Sequence, residues 1–306
     1  MDRLVEKFLR NCAIKGMTER SVKGYQSNLK CFSSYIEGQG VGIVEVDKDA
    51  IEGYLEHLRL DRGLTMRTAE HHFSALSSFY EYLVFKDIIP TNPVLPVRRQ
   101  FFKRYKNNSD AHTRKLISEH DMSMLINSTI DIRDKAIITL LAKTGIRRNE
   151  LITLDISDID FIELKIRLKP TAKRTNRTVL FDEETAFILR RWLKIRAGMN
   201  HKDNPALFLN AYGDRLHRSG VYEVVTTSAE RVGLHDPKSD RLEDHFTPHC
   251  CRHWFTTHLR RAGMPREFIQ ELRGDASRET MDIYYHIDEN DLKESYNACI
   301  PKLHIY

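Results

Sequence analysis

Residues 159–181 read IDFIELKIRLKPTAKRTNRTVLF, and apolar residues alternate with polar ones in IDFIELKIRL and again in RTVLF. Alternation with a period of two is typical of a half-buried β-strand. The stretch therefore predicts two strands joined by a basic turn, PTAKRTN. Because the segments on both sides carry apolar residues at helical spacing, we expect a mainly α protein with a small β-sheet in its second half.

The N-terminal third of the chain has the pattern of a helical bundle. Between residue 3 and about residue 93 apolar residues recur at helical spacing, as at Val22, Tyr25, Leu29, Phe32 and Ile36. Suitable N-cap residues precede such stretches at Thr18, Asp47 and Thr65. We expect four main helices that end near Pro90 and Pro93.

A second domain is expected to begin at Ser118, where SEHD has the spacing of a capping box. After the strands, helical patterns cover Glu183–Arg196, Ser219–Val232, Pro248–Ala262, Pro265–Arg273 and Arg278–His286. An amphipathic tail, DLKESYNACI, follows at residues 291–300. The predicted division is a helical domain at 1–95, a linker at 96–116 and a second domain at 117–306.

Composition excludes several classes of protein. The chain has 306 residues, 41% of them hydrophobic, which suits two globular domains. Its five cysteines form no CxxC pair, so neither a disulfide framework nor a zinc site is indicated and a reducing cytoplasm is expected. No uncharged apolar run approaches membrane-spanning length, so we expect no membrane association. The net charge of +5 permits a polyanionic partner without requiring one.

The expected linker is strongly basic. In PVRRQFFKRYKNNSDAHTRK, residues 96–115, seven Lys or Arg residues face one acid, and three aromatic residues lie among them. Such interleaving favours contact with a nucleic-acid backbone, although a solvated connector would have a similar composition. The candidate DNA-binding residues are Arg98, Arg99, Lys103, Arg104 and Lys106.

Three short motifs carry residues suited to phosphate chemistry. They are TGIRRNEL at 144–151, PHCCRH at 248–253 and RGDASRETMDIYYHI at 273–287. Each alone has an ordinary structural explanation, such as an exposed ion pair or a packed aromatic ring. Together they supply two arginines, a histidine and a tyrosine, which form a complete set for attack on a phosphodiester.

In the order and spacing of these motifs the chain resembles the tyrosine recombinase family, which includes phage integrases and Xer-like recombinases. The resemblance covers nearly the whole chain. TGIRRNEL is similar to the segment of the family's first arginine, and TPHCCRHWFTTHLRRAG to its HxxR helix. The resemblance implies an N-terminal helical core-binding, SAM-like domain and a C-terminal α+β catalytic domain.

The resemblance also implies roles for individual residues. Tyr284 would be the nucleophile, with Tyr285 as its competitor, and Arg147 and Arg252 would bind the scissile phosphate. His249 would accept the phenolic proton or hydrogen-bond the phosphate. The family's lysine lies in the turn between two strands, where Lys173 is preferred over Lys169 as general acid.

One position departs from the family pattern. Asp275 stands where relatives have His or Trp, and an ionised carboxylate can accept but not donate a hydrogen bond. We expect it to turn away from the phosphate and pair with Arg273 or Arg252.

The implied activity is site-specific DNA recombination through a 3′-phosphotyrosine intermediate, for integration, excision or dimer resolution. The implied partners are double-stranded recombination sites, clamped between the two domains, and further copies of the chain in a tetrameric synapse. The tail from Asp288 to Ile305 could dock on a neighbour or on its own domain. No cofactor or metal is expected. The alternatives are a type IB topoisomerase, which would act as a monomer, and a catalytically silent DNA-binding module.

Overall fold

The computed structural model describes residues 3–102, 115–170, 177–199, 203–275 and 287–305. The chain divides into two compact units, Met1–Ser109 and Asp110–Tyr306. In the described residues no helix has the length and hydrophobicity needed to cross a bilayer. The expected mainly α fold with a small sheet is confirmed.

The first unit is a bundle around one apolar core. Its helices are α1 (Arg3–Ile14), α2 (Glu19–Gly38), α3 (Lys48–Glu56), α4 (Met66–Phe85) and α5 (Val94–Phe101). The predicted caps of α2, α3 and α4 are confirmed, because the side chains of Thr18, Asp47 and Thr65 each accept a backbone N–H three residues on. Phe32, Tyr54, Phe73 and Tyr80 are buried at its centre.

The start of the expected linker is helical, which differs from the sequence prediction. Helix α5 covers residues 94–101, and its Val94 and Val97 are buried in the core of the first unit. The prediction of an irregular, exposed linker rested on a proline and two asparagines in this stretch and on its basic charge. Two valines three residues apart are enough to bury one face of the helix, and the arginines that follow them, Arg98 and Arg99, need not be buried.

The second unit is built around helix α7 (Ile132–Thr144), which is buried along most of its length. Helices α6 (Glu119–Ser128), α8 (Arg148–Thr153), α9 (Glu183–Met199), α10 (Arg218–Arg231), α11 (Pro248–Arg261) and α12 (Arg266–Arg273) belong to this unit. The capping box at the start of α6 is confirmed: Ser118 and Asp121 each accept the other's backbone N–H.

The sheet has three strands where the sequence predicted two. Strands β1 (Ile159–Asp160), β2 (Lys165–Leu168) and β3 (Arg177–Leu180) pair antiparallel in that order. The first predicted strand is broken because the Asp160 carboxylate accepts the backbone N–H groups of Ile162 and Glu163, and Leu164 takes a left-handed φ of 55°. These features make a tight turn inside an alternating pattern.

The tail docks on its own unit. Helix α13 (Glu289–Cys299) buries Tyr296, and Leu303 and Ile305 beyond it enter the main core. The Lys143 ammonium, fully buried in α7, donates to the Pro301 carbonyl at 2.6 Å and to carboxylate oxygens of Asp182 and Glu184 at 2.7 and 2.6 Å. Glu184 also accepts the backbone N–H groups of Leu303 and His304. The segment after α13 is therefore an integral part of this unit.

Candidate active site

Arg147 lies where α7 ends and α8 begins. Gly145 ends α7 with φ 60°, a left-handed conformation that glycine adopts without strain. A Cβ at Gly145 would lie 2.4 Å from Cδ1 of Phe255, so glycine also allows α11 to approach closely. The Arg147 side chain, 30% exposed, donates to the Arg273 carbonyl at 3.1 Å and to Asp275 Oδ1 at 3.0 Å.

Arg252 lies within the first turns of α11 and is almost fully buried. Its Nη1 donates to the Gly145 carbonyl at 2.6 Å and its Nη2 to the Arg273 carbonyl at 2.9 Å. Burial, with repulsion from Arg147 and Arg273, lowers the pKa of Arg252 to about 9. The group remains a cation at neutral pH, and a bound anion would offset part of the cost of burying it.

Asp275 lies among three arginines. Its Oδ1 is 3.0 Å from Arg147 Nη2 and 3.2 Å from Arg252 Nη2, and its Oδ2 is 2.9 Å from Arg273 Nε. The expected pairing with Arg273 and Arg252 is present. The contact with Arg147 was not expected, and it makes Asp275 a bridge between the two arginines assigned to the phosphate.

The main partner of the Glu150 carboxylate is Arg177 rather than the neighbouring Arg147. The Arg177 guanidinium donates to both Glu150 oxygens, at 2.7 and 3.2 Å, while Arg147 Nη1 is 3.5 Å away. Glu150 instead accepts the backbone N–H of Arg147 at 2.6 Å. Burial would raise the pKa of Glu150, but the hydrogen bonds from Arg177 and from the Arg147 backbone outweigh it and hold that pKa below its ordinary value.

A pocket of about 370 Å³ brings together three of the predicted residues, Arg147, His249 and Arg252. His249 is exposed in the first turn of α11, which begins at Pro248 as the sequence predicted. The lining includes three further residues that the sequence analysis did not single out: Arg148, Arg218 and Tyr222. No acidic side chain lines this pocket among the described residues, so it is suited to an anion.

Of the two candidate lysines, only Lys169 lies among the described residues. Lys169 forms an ion pair with Asp155 and lies 3.7 Å from Asp158. Lys173 lies outside the described residues, as do Tyr284 and Tyr285. Lys169 is thus engaged by two carboxylates, an arrangement that suits a structural lysine.

Of the candidate DNA-binding residues, two are described. Arg98, in α5, donates to Ser77 Oγ at 3.3 Å, and Arg99 is exposed. Lys103, Arg104 and Lys106 lie outside the described residues.

Two family models match the chain. One described as the phage integrase family matches residues 114–291, and one described as the N-terminal SAM-like domain of phage integrase matches residues 4–89. The first matched range lies within the second compact unit, and the other lies within the first unit.

Curated relatives match over almost their full length. The chain is 32% identical to a tyrosine recombinase XerC of Herpetosiphon aurantiacus, over 97% of this chain and 94% of that protein. It is 30% identical to a tyrosine recombinase XerD of Listeria monocytogenes, over 99% and 100%. The solved structure of the Tn1549 transposon integrase in complex with transposon right end DNA has a TM-score of 0.71, with 18% identity over 96% of this chain and 98% of that one, and supports the fold. The chain therefore belongs to the phage integrase family and is a tyrosine recombinase of the Xer type, an enzyme of site-specific recombination.

Proposed function

We propose that Arg147 and Arg252 bind the scissile phosphate of a recombination site and that Tyr284 attacks it. The observation that carries this assignment is the charge around the pocket. Among the residues that the structure describes, four arginines, Arg147, Arg177, Arg252 and Arg273, are grouped with two carboxylates, those of Glu150 and Asp275. This excess of positive charge suits a phosphodiester, and planar guanidinium groups match its oxygens.

The proposed reaction is an in-line displacement at phosphorus. The phenolic oxygen of Tyr284 forms a bond to phosphorus while the bond to the 5′-oxygen breaks, which leaves a 3′-phosphotyrosine and a free 5′-hydroxyl. A phenol has a pKa of about 10, so it needs help at neutral pH. His249 accepts the phenolic proton or hydrogen-bonds the phosphate, and Arg147 and Arg252 stabilise the charge on the nonbridging oxygens.

The leaving group needs a proton, which we assign to Lys173. Since Lys169 is already engaged by Asp155 and Asp158, Lys173 is the better candidate for general acid. The 5′-hydroxyl of a partner strand then attacks the phosphotyrosine and releases Tyr284. One phosphodiester replaces another, so rejoining needs no nucleotide hydrolysis.

Asp275 is assigned an orienting role. Its carboxylate links Arg147, Arg252 and Arg273 and limits the repulsion among them. Since Oδ1 contacts the same two guanidinium groups that would hold the phosphate, Asp275 has to share these groups with the substrate. It supports the arginines rather than contacting phosphorus-bound oxygens.

We assign double-stranded recombination sites as the substrate and a tetramer on DNA as the active assembly, in the cytoplasm. The assignment of DNA as the substrate is supported by solved structures of the Tn1549 transposon integrase in complex with transposon right end DNA and of the XerH recombinase bound to its difH substrate. The basic residues Arg98, Arg99, Lys103, Arg104 and Lys106 are proposed to contact DNA phosphates. Affinity should then fall steeply with salt.

The decisive experiment is covalent trapping on a nicked suicide substrate followed by peptide mapping. Tyr284→Phe should abolish the adduct and leave gel-shift affinity nearly unchanged, because it removes only the nucleophilic oxygen. Tyr285→Phe is the matched control and should form the adduct. An adduct mapped to Tyr285 would overturn the assignment, and relaxation of supercoils without two-site recombination would favour a topoisomerase.

A further inference from the structure

We propose that Arg177 is a positioning residue, which neutralises Glu150 and so keeps the Arg147 guanidinium available to the phosphate. The inference rests on the proposed role of Arg147 as a phosphate ligand. Arg177 does not line the pocket formed by Arg147, His249 and Arg252, and on our assignment it does not contact the substrate.

The Arg177 side chain is fully engaged by protein acceptors. It is 7% exposed and is the first residue of β3. Nη1 and Nη2 donate to the two oxygens of Glu150, and Nε donates to the Leu272 carbonyl at 3.2 Å. A guanidinium held at all three nitrogens in this way is suited to a fixed structural task, in contrast to the more exposed Arg147.

Glu150 is the group through which Arg177 reaches Arg147. Its carboxylate accepts the Arg147 backbone N–H at 2.6 Å, and Arg147 Nη1 is 3.5 Å from Oε1. If Arg177 were absent, this buried carboxylate would have Arg147 as its nearest cation. It would then compete with a phosphate for that guanidinium, because an unpaired buried charge is strongly unfavourable.

Arg177 also supports the turn that carries Asp275. Gly274 ends α12 with φ 57°, and a Cβ there would lie 2.5 Å from Cδ of Arg177. The stem of Arg177 therefore occupies the space directly beside the Gly274 backbone. One side chain thus contacts both the Glu150 carboxylate and the turn before Asp275.

The test is a pair of substitutions measured by single-turnover cleavage of a suicide substrate. Arg177→Gln should slow cleavage by about 100-fold, comparable with the loss of one phosphate-stabilising donor. In the double variant Arg177→Gln/Glu150→Gln the competing charge is gone, so about 10-fold of this loss should be recovered. The rates are compared at a temperature at which both variants are folded, so that a rescue of stability alone does not change them.

A pH series gives a second readout. In Arg177→Gln, protonation of Glu150 at low pH would remove the competition, so the ratio of variant to wild-type rate should rise as pH falls. In the double variant that ratio should not change with pH. A flat ratio in Arg177→Gln would contradict the proposal.

Arg196→Ala is the matched control. Arg196 is buried in the same unit, but it donates to the carbonyls of Ala206 and Asn204 rather than to a carboxylate. This variant should lose thermal stability and cleave at nearly the wild-type rate below its melting temperature. A slowing equal to that of Arg177→Gln would show that loss of any buried arginine suffices and would overturn the inference.

Further outcomes separate this inference from the proposed function. If Arg177→Gln does not fold, the double variant carries the test, because it leaves no charge unpaired; cleavage within about 10-fold of Glu150→Gln alone is expected. A folded double variant as slow as Arg147→Ala would overturn the inference. Absence of wild-type cleavage would instead count against the proposed function, whereas wild-type cleavage with Arg177→Gln unaffected would count against this inference alone.

Discussion

Two groups of charged side chains in the second unit have net charges of opposite sign. Around Lys143 one ammonium meets two carboxylates and a carbonyl, all within the protein. Around Arg147 and Arg252 four arginines meet two carboxylates, and a pocket opens beside them. In the first group the protein itself supplies every partner named for the ammonium, and the role of the group is to hold the tail. The second group is more exposed and retains an excess of positive charge that an anion can neutralise, as expected of the proposed binding site.

The largest effect on stability is expected at Lys143. Lys143→Met removes the cation and leaves Asp182 and Glu184 buried without it, which should cost about 3–5 kcal/mol of unfolding free energy. Lys135→Met, on the same helix, is the control and should cost less, since Lys135 donates to the Asn127 carbonyl. Denaturant unfolding measures both. Loss of cleavage from a folded Lys143→Met protein would contradict the structural assignment.

At Arg252 the expected effect is on the reaction. Arg252→Ala should slow suicide-substrate cleavage by about 10²–10³-fold, since it removes a donor to the developing phosphate charge. Its unfolding free energy should fall less than that of Lys143→Met, because burial and neighbouring arginines already disfavour the charge of Arg252. If Arg252→Ala unfolded as readily as Lys143→Met, the distinction between the two groups would fail.

Substrates with different leaving groups distinguish the candidate general acid, Lys173, from the structural lysine, Lys169. Lys173→Ala should slow cleavage of a normal 5′-oxygen substrate far more than cleavage of a 5′-bridging phosphorothiolate, whose thiolate leaves without a proton. Lys169→Ala should show no such selectivity, because Lys169 pairs with Asp155 and lies near Asp158. Selective rescue of Lys169→Ala alone would exchange the two roles.

Acidification should reduce the stability that the Lys143 group contributes to the fold. Burial acts to raise the pKa values of Asp182 and Glu184, but hydrogen bonds and Lys143 outweigh it and lower both. A lowered carboxyl pKa contributes stability above its unfolded value, near 3.8 or 4.5, and this contribution is lost as pH falls through the folded value. Wild-type stability should therefore fall faster than that of Lys143→Met on acidification, so the gap measured by denaturant unfolding should narrow. A constant gap would mean that the carboxylates gain nothing from Lys143.

The smallest effect is expected at Asp275. Asp275→Ala should slow cleavage by less than about 10-fold, far less than Arg252→Ala, because the carboxylate supports arginines and does not itself stabilise the phosphate. Asp275→His should be tolerated, since the resemblance to tyrosine recombinases implies His or Trp at this position. Single-turnover cleavage of a suicide substrate measures both variants. A loss as large as that of Arg252→Ala would contradict the orienting role of Asp275.

Local signals in the sequence predicted local structure. Pro248 opening a helix, the Ser118 capping box and the caps of the first bundle are each determined by residues within one turn. The grouping of Arg147, His249 and Arg252 followed from the order of their motifs. The break between β1 and β2 was missed because its cause is a side-chain hydrogen bond of Asp160 inside an alternating pattern.

Contacts between distant segments could not be predicted. Arg177 and Glu150 are 27 positions apart, and nothing in either local pattern indicates that they pair. The Lys143 group joins α7, the start of α9 and the segment after α13. A lysine in the last turn of an apolar helix gives no local indication of these partners. Such pairings depend on how helices pack, which a single sequence does not specify locally.

The packing of Leu303 and Ile305 has a consequence for how the protein is made. These residues fill the same core as α7, which is synthesised some 160 positions earlier. At a synthesis rate of about 5–20 residues per second, that core stays incomplete for roughly 8–32 seconds after α7 is made. A ribosome that stops before residue 303 would thus release a chain that contains every proposed catalytic residue but cannot close its core. Because Leu303 and Ile305 follow Tyr284, the proposed nucleophile, the ability to cut DNA should depend on synthesis having passed residue 305.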